Sequence, residues 1–309
     1  MTSAKKNQSG FIGETISLFK QTISEWSEDK APQLGAALAY YTVFSLAPLV
    51  VVLLAIIGFL FRHDPAGAWQ KVTEQMSYFL DKSAVEVVQN IAAQSSQGSK
   101  GIIATIIGFA LALFGASGVF GQLQDALNTI WGVKPKPGAG IAGFLRTRFL
   151  SFALVGGICF LLLVSLTAES VLKAFSHYVQ SQFPGGIVLA VACYLIFDLV
   201  VVTVLFAIIF KYLPDAKIRW RDVWFGAVMT ALFFALGKWA LGLYLGSGSA
   251  ASAYGAASSL ITLLLWVYYS SQILLFGAEL PQVWADRFGQ KVEPDQHAVR
   301  VERKEVTLS

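Results

Sequence analysis

Six stretches of this chain run for more than twenty residues with scarcely a charge, at about residues 35–61, 101–122, 149–170, 186–210, 222–245 and 255–281. A helix rises 1.5 Å per residue, so each is long enough to cross a hydrocarbon layer ~30 Å thick. One soluble core cannot absorb them. Of the 309 residues, 55% are hydrophobic and 14% charged, and the apolar ones are grouped rather than dispersed. The expected fold is an all-α integral membrane protein with six transmembrane helices and additional amphipathic interfacial helices. Residues 1–34 form a cytoplasmic N-terminal segment, 35–282 the membrane domain with an outer loop at 62–100, and 283–309 a C-terminal tail.

The basic residues orient this arrangement. Lys5, Lys6, Lys20 and Lys30 precede the first span, and Lys134, Lys136, Arg146 and Arg148 separate the second from the third. Lys211, Lys217, Arg219 and Arg221 join the fourth to the fifth, and Arg287, Lys291, Arg300, Arg303 and Lys304 follow the last. The other side carries Arg62, Lys71, Lys82 and Lys100 in one long loop and Lys173 in the next. By the positive-inside rule both termini are expected in the cytoplasm. The N-terminus has no basic end, short apolar core and small-residue cleavage site, so no cleaved signal peptide is expected.

Two segments outside the spans have helical periodicity. Ile12, Ile16, Phe19, Ile23 and Trp26 recur at steps of four and three, placing them on one helical face. That helix lies either on the membrane surface or against the protein's own loops, and Pro32 is expected to end it. In the outer loop, Trp69, Val72, Met76 and Phe79, followed by Val88 and Ile91, predict two short amphipathic helices capping the outer mouth. The tail after Arg287 reads as charged and disordered.

Candidate functional residues are those that lipid does not tolerate. Asp198 lies near the middle of the fourth span and Lys238 in the fifth, where an ion pair is one reading and a wet path another. Glu279 shares half of the sixth helix with Ser258, Ser259, Thr262, Tyr269 and Gln272. Tyr41 and Ser45 share a face with Pro48, which is expected to kink the first span. Gly108, Ala112 and Gly115 mark a close helix seam in the second. Beyond it, Gln122, Asp125 and Asn128 form the polar side of a helix whose apolar side is Leu123, Leu127 and Ile130.

Cys159 and Cys193 lie in apolar runs, and His63, His177 and His297 are scattered. Neither a zinc spacing nor a Walker-type loop is present, so no cofactor, metal or enzyme activity is expected.

Four stretches together resemble the YihY/virulence factor BrkB family: AALAYYTVFSLAPLV (Ala36 to Val50), GASGVFGQLQDALNTIWGV (Gly115 to Val133), YLPDAKIRWRDVWFGA (Tyr212 to Ala227) and YGAASSLITLLLWVYYSSQILLFGAEL (Tyr254 to Leu280). Ser258 stands where that family commonly has glycine. The resemblance implies a six-span protein of the bacterial inner membrane. It also carries the label ribonuclease BN, which asks for a clustered acid/base or metal site that Asp125, Asp215 and Asp222 do not make without histidine. The leading reading is a transporter or lipid-handling permease for an amphiphilic or small-molecule substrate. The alternative is a non-transporting scaffold or regulator, and a ribonuclease comes last. Membrane lipids are the expected partners, with homo-oligomerisation open and no nucleic acid.

Overall fold

The computed structural model describes residues 3–61, 63–79, 82–97, 118–136, 186–246, 258–288 and 292–301. Helix α1 (Ser3–Glu28) leads into α2 (Ala31–Leu60), followed by α3 (Pro65–Phe79) and α4 (Lys82–Gln97). Helix α5 covers residues 118–130 and strand β1 is Val133–Pro135. Helix α6 (Gly186–Tyr212), strand β2 (Ala216–Lys217), helix α7 (Trp220–Gly246), helix α8 (Ser258–Phe288) and strands β3 (Glu293–Pro294) and β4 (Ala298–Arg300) complete the described chain.

Among the described residues, three helical segments are long and apolar enough to cross a membrane: Ala192–Tyr212, Trp220–Leu241 and Leu260–Arg287. They coincide with the fourth, fifth and sixth expected spans. Helix α2 covers all but the last residue of the first expected span, and α5 contains the end of the second. The rest of the second span and all of the third lie outside the described residues.

The chain divides into two compact units, Met1–Gln33 with Gln124–Phe233 and Gln272–Ser309, and Leu34–Leu123 with Phe234–Ser271. In the first, Leu127, Phe210, Leu213, Ile218, Val223, Leu275 and Leu280 are fully buried. Helix α1 joins this core through Phe19, whose ring lies 6.4 Å from Phe233 and 6.5 Å from Phe276. Leu18 and Thr22 are the buried centre of α1, while Ile16 and Ile23 remain 62% and 57% exposed. The apolar face expected from the sequence is thus divided: its Phe19 edge packs on protein, and its isoleucine edge stays open.

Pro32 does not end α1. The break falls two residues earlier, where Lys30 adopts φ +56° and the Asp29 and Lys30 amides donate to the carbonyls of Glu25 and Ser27. Pro32 already sits in the first turn of α2, where a missing amide proton costs no helical hydrogen bond.

The tail also departs from the sequence expectation. Residues 292–301 are ordered: β4 pairs antiparallel with β1, and β3 with β2. Gly132 makes this possible. Its φ of +59° turns the chain out of α5 into β1, and its carbonyl accepts from the Val301 amide at 2.8 Å.

In the second unit, Val50, Val88 and Ala92 form a buried cluster lined by Leu46, Leu54, Trp69, Met76 and Ile91. The two expected outer-loop helices are present as α3 and α4, but their apolar faces close on α2. Asp64 caps α3, its Oδ1 accepting from the Gly67 amide at 2.8 Å, and Pro65 follows at the first helical position.

Candidate functional site

Among the described residues, the most densely connected polar structure lies in the first unit, where α5, the turn after α6 and the tail meet. Asp215 is its centre. Its Oδ2 accepts from Asn128 Nδ2 at 2.9 Å and from Gln124 Nε2 at 3.1 Å. Its amide donates to Asn128 Oδ1 at 2.8 Å, and its carbonyl accepts from the Asp295 amide at 2.9 Å. Gln124 and Asn128 stand one turn apart on α5, so both amides reach one carboxylate while Leu127 and Ile130 are buried. A carboxylate with charge-assisted bonds of this kind is a strong clamp.

The geometry corrects the sequence reading of this helix. Asn128 is buried, with its amide committed to Asp215, so it is not part of a surface offered to a partner. Gln122 is half-buried, and Asp125 remains at the surface. The Asp125 carboxyl is nevertheless held above the ordinary carboxylate range, first by burial and then by the Asp215 charge. Such a group costs stability that builds up as the pH rises above its unfolded pKa and is complete above its folded pKa, and the cost vanishes below the unfolded value. Asp125→Asn is therefore expected to raise the unfolding temperature at pH 7 and to lose that advantage below pH ~4; thermal unfolding in detergent across this pH range checks it.

Basic segments far apart in sequence gather around the clamp. Lys134 lies on β1, and Lys136 Nζ donates to the Gln296 carbonyl at 2.7 Å. Arg300 pairs in register with Val133, and Lys217 with Glu293. Lys211 Nζ donates to the Ile218 carbonyl at 2.5 Å and lies 5.6 Å from the centre of the Trp220 ring. Arg219 Nε bridges to Asp222 at 3.1 Å, and Arg287 donates to Ser17 of α1 at 2.6 Å. This collar was not legible as one object in the sequence.

The intramembrane candidates are distributed as follows. Asp198 on α6 is half-buried in the first unit, and Lys238 on α7 is half-buried in the second. Glu279 is completely buried in the first unit. Gln272 is half-buried, its Nε2 donating to the Ala31 carbonyl at 3.4 Å. In the second unit Thr262 is buried and Tyr269 half-buried against Gly237. Tyr41 and Ser45 do not share an environment. Tyr41 is exposed, its ring 5.8 Å from that of Tyr40, whereas Ser45 is buried and donates to the Thr42 carbonyl at 2.9 Å. Helix α2 continues through Pro48, whose side chain lies outside the described residues, as do Gly108, Ala112 and Gly115 entirely.

A close seam that the sequence reading missed joins α7 to α8 in the first unit. A Cβ on Gly226 would lie 2.7 Å from Pro281 Cγ and 3.2 Å from the Gly277 carbonyl oxygen. Pro281 has no amide proton to offer that carbonyl, four residues back in the helix. A Cβ on Gly277 would overlap Thr230, whose hydroxyl is fixed by donation to the Gly226 carbonyl at 2.7 Å. The available signal was Gly226 four residues before Thr230, a pair of small residues on one helical face.

Apolar helices long enough to span a bilayer, with polar side chains buried among them, define a helical membrane protein. Residues 22–302 match the virulence factor BrkB family, and the chain belongs to it. A UPF0761 membrane protein of Stenotrophomonas maltophilia is 27% identical over 282 residues, covering 86% of this chain and 60% of the relative. One from Pseudomonas aeruginosa is 28% identical over 259 residues, covering 82% and 59%. One from Tolumonas auensis is 26% identical over 256 residues, covering 81% and 80%. The chain thus spans about three-fifths of the first two of these relatives. No solved structure matches it.

Proposed function

We propose that this chain is a six-span transporter or lipid-handling permease of the bacterial inner membrane, with both termini in the cytoplasm. The observation that carries the transport reading is the inside-out polarity of α8. Leu260 and Leu265 are exposed, whereas Thr262, Ser271 and Glu279 are buried. Polar side chains within a span cost at least a few kcal/mol for a charge, so their retention favours a path for polar groups over a sealed apolar bundle. The orientation is supported by the collar, which collects the basic segments around 134–136, 211–221 and 287–300 in one unit. A scaffold reading loses weight because the Asn128 side of α5 is occupied by the chain's own loop and tail. The ribonuclease reading needs acid groups for chemistry, and Asp215 and Asp222 are both engaged in structural contacts.

Flux in proteoliposomes tests the proposal. Folded protein is expected to move labelled phospholipid or a small polar solute faster than protein-free vesicles, and Glu279→Gln is expected to reduce the rate. No movement of either class with folded protein would contradict it.

A further inference from the structure

The placement of α3 and α4 does not fit a cap lying over the membrane. Helix α2 ends at Leu60, and the Asp64 amide donates to the Phe61 carbonyl at 3.1 Å, closing a tight turn. Helices α3 and α4 then share one buried cluster with the middle of α2. Trp69 and Met76 of α3, with Val88, Ile91 and Ala92 of α4, close on Leu46, Val50 and Leu54 of α2. Fifteen residues of α3 extend about 22 Å, roughly three-quarters of a ~30 Å hydrocarbon layer.

The neighbouring part of α2 is its most apolar. From Leu46 to its end at Leu60 it holds no charged or amide side chain. The hairpin is of opposite character. Gln70, Lys71 and Glu74 on α3 and Glu86, Gln89 and Asn90 on α4 are exposed on the side turned from the apolar cluster. Such a surface cannot face hydrocarbon, because charged and amide groups at that depth need protein or water around them.

We infer that α3 and α4 form a re-entrant hairpin whose polar face lines a water-filled vestibule, descending beside α2 from the membrane side where α2 ends. This rests on α2 crossing the membrane, as proposed above, and not on the direction in which it crosses or on transport. The vestibule gives a polar solute or headgroup access to the interior of the bilayer without contact with acyl chains.

Site-directed spin labels in liposomes test it. Single cysteines are placed at Glu74 and Gln89, with Gln70 and Asn90 as a second pair, in full-length protein carrying Cys159→Ser and Cys193→Ser. References are Phe44 of α2 and Phe61 in the turn that follows it, both exposed and on either side of the apolar stretch. Collision with a water-soluble nickel chelate is expected to be several-fold higher at Glu74 and Gln89 than at Phe44, where oxygen collisions dominate. Nickel-poor, oxygen-rich labels on both hairpin helices would overturn the vestibule. High nickel accessibility at Phe44 as well would place the stretch in water and reduce the hairpin to a surface cap. Absence of flux would sink the transport reading and leave this one standing.

Discussion

Asn128→Asp is expected to be the most damaging single-atom exchange outside the membrane spans, costing about 4 kcal/mol at neutral pH. It removes the Nδ2 donor that reaches Asp215 Oδ2 at 2.9 Å and puts a second carboxylate in its place. The lost charge-assisted bond contributes about 1.5–3 kcal/mol. Two like charges about 4 Å apart near a protein surface add a comparable repulsion. A pH signature separates the two terms. As the pH falls and one carboxyl takes a proton, the repulsion disappears and the new O–H can donate across the pair, so stability is expected to recover toward that of the unsubstituted protein. Thermal unfolding in detergent at neutral and mildly acidic pH reads this out, and a pH-independent loss would assign the whole effect to the missing hydrogen bond.

Gly277→Ala is expected to destabilise by about 2 kcal/mol despite a better helix former being introduced. Replacing glycine within a helix gains up to about 1 kcal/mol, whereas overpacking a tight contact costs about 1–3. Here the cost wins, because the new methyl would meet Thr230 Cβ at 2.8 Å as well as its hydroxyl, and that rotamer is held by the Gly226 carbonyl. Gly121→Ala is the control. Nothing lies within 4 Å of a Cβ built there, so the propensity gain of up to about 1 kcal/mol should appear unopposed. Adding Thr230→Ala to Gly277→Ala removes the nearest atom and is expected to restore part of the loss.

The long-period features were legible from residues alone. Helix α6, α7 and α8 announce themselves by apolar length, and α3 and α4 by the recurrence of Trp69, Val72 and Met76 and then Val88 and Ile91. Periodicity also located α1, but it did not say which edge packs. Phe19 turns toward Phe233 and Phe276, each more than 200 residues away in sequence, and only tertiary structure supplies that preference.

What escaped the sequence was short-range in space and long-range along the chain. Strands of two or three residues have no measurable alternation, so β1 to β4 read as disordered tail and loop. Asn128 and Asp215 are 87 positions apart, and an asparagine on a polar helix face looks solvated until its partner is known. The Gly226–Gly277 seam was overshadowed by the denser glycine run of the second span. A search for small residues four apart would have found half of it at Gly226 and Thr230.

By the positive-inside rule the basic segments of the collar are expected to remain in the cytoplasm. Single cysteines at Lys136 and Gln296, whose side chain and backbone meet at 2.7 Å, test its placement directly. With Cys159 and Cys193 replaced by serine, a membrane-impermeant maleimide added to intact spheroplasts is expected to leave both positions unlabelled and to label them once the membrane is opened. Labelling of both in intact spheroplasts would put the collar outside the cell and contradict the account.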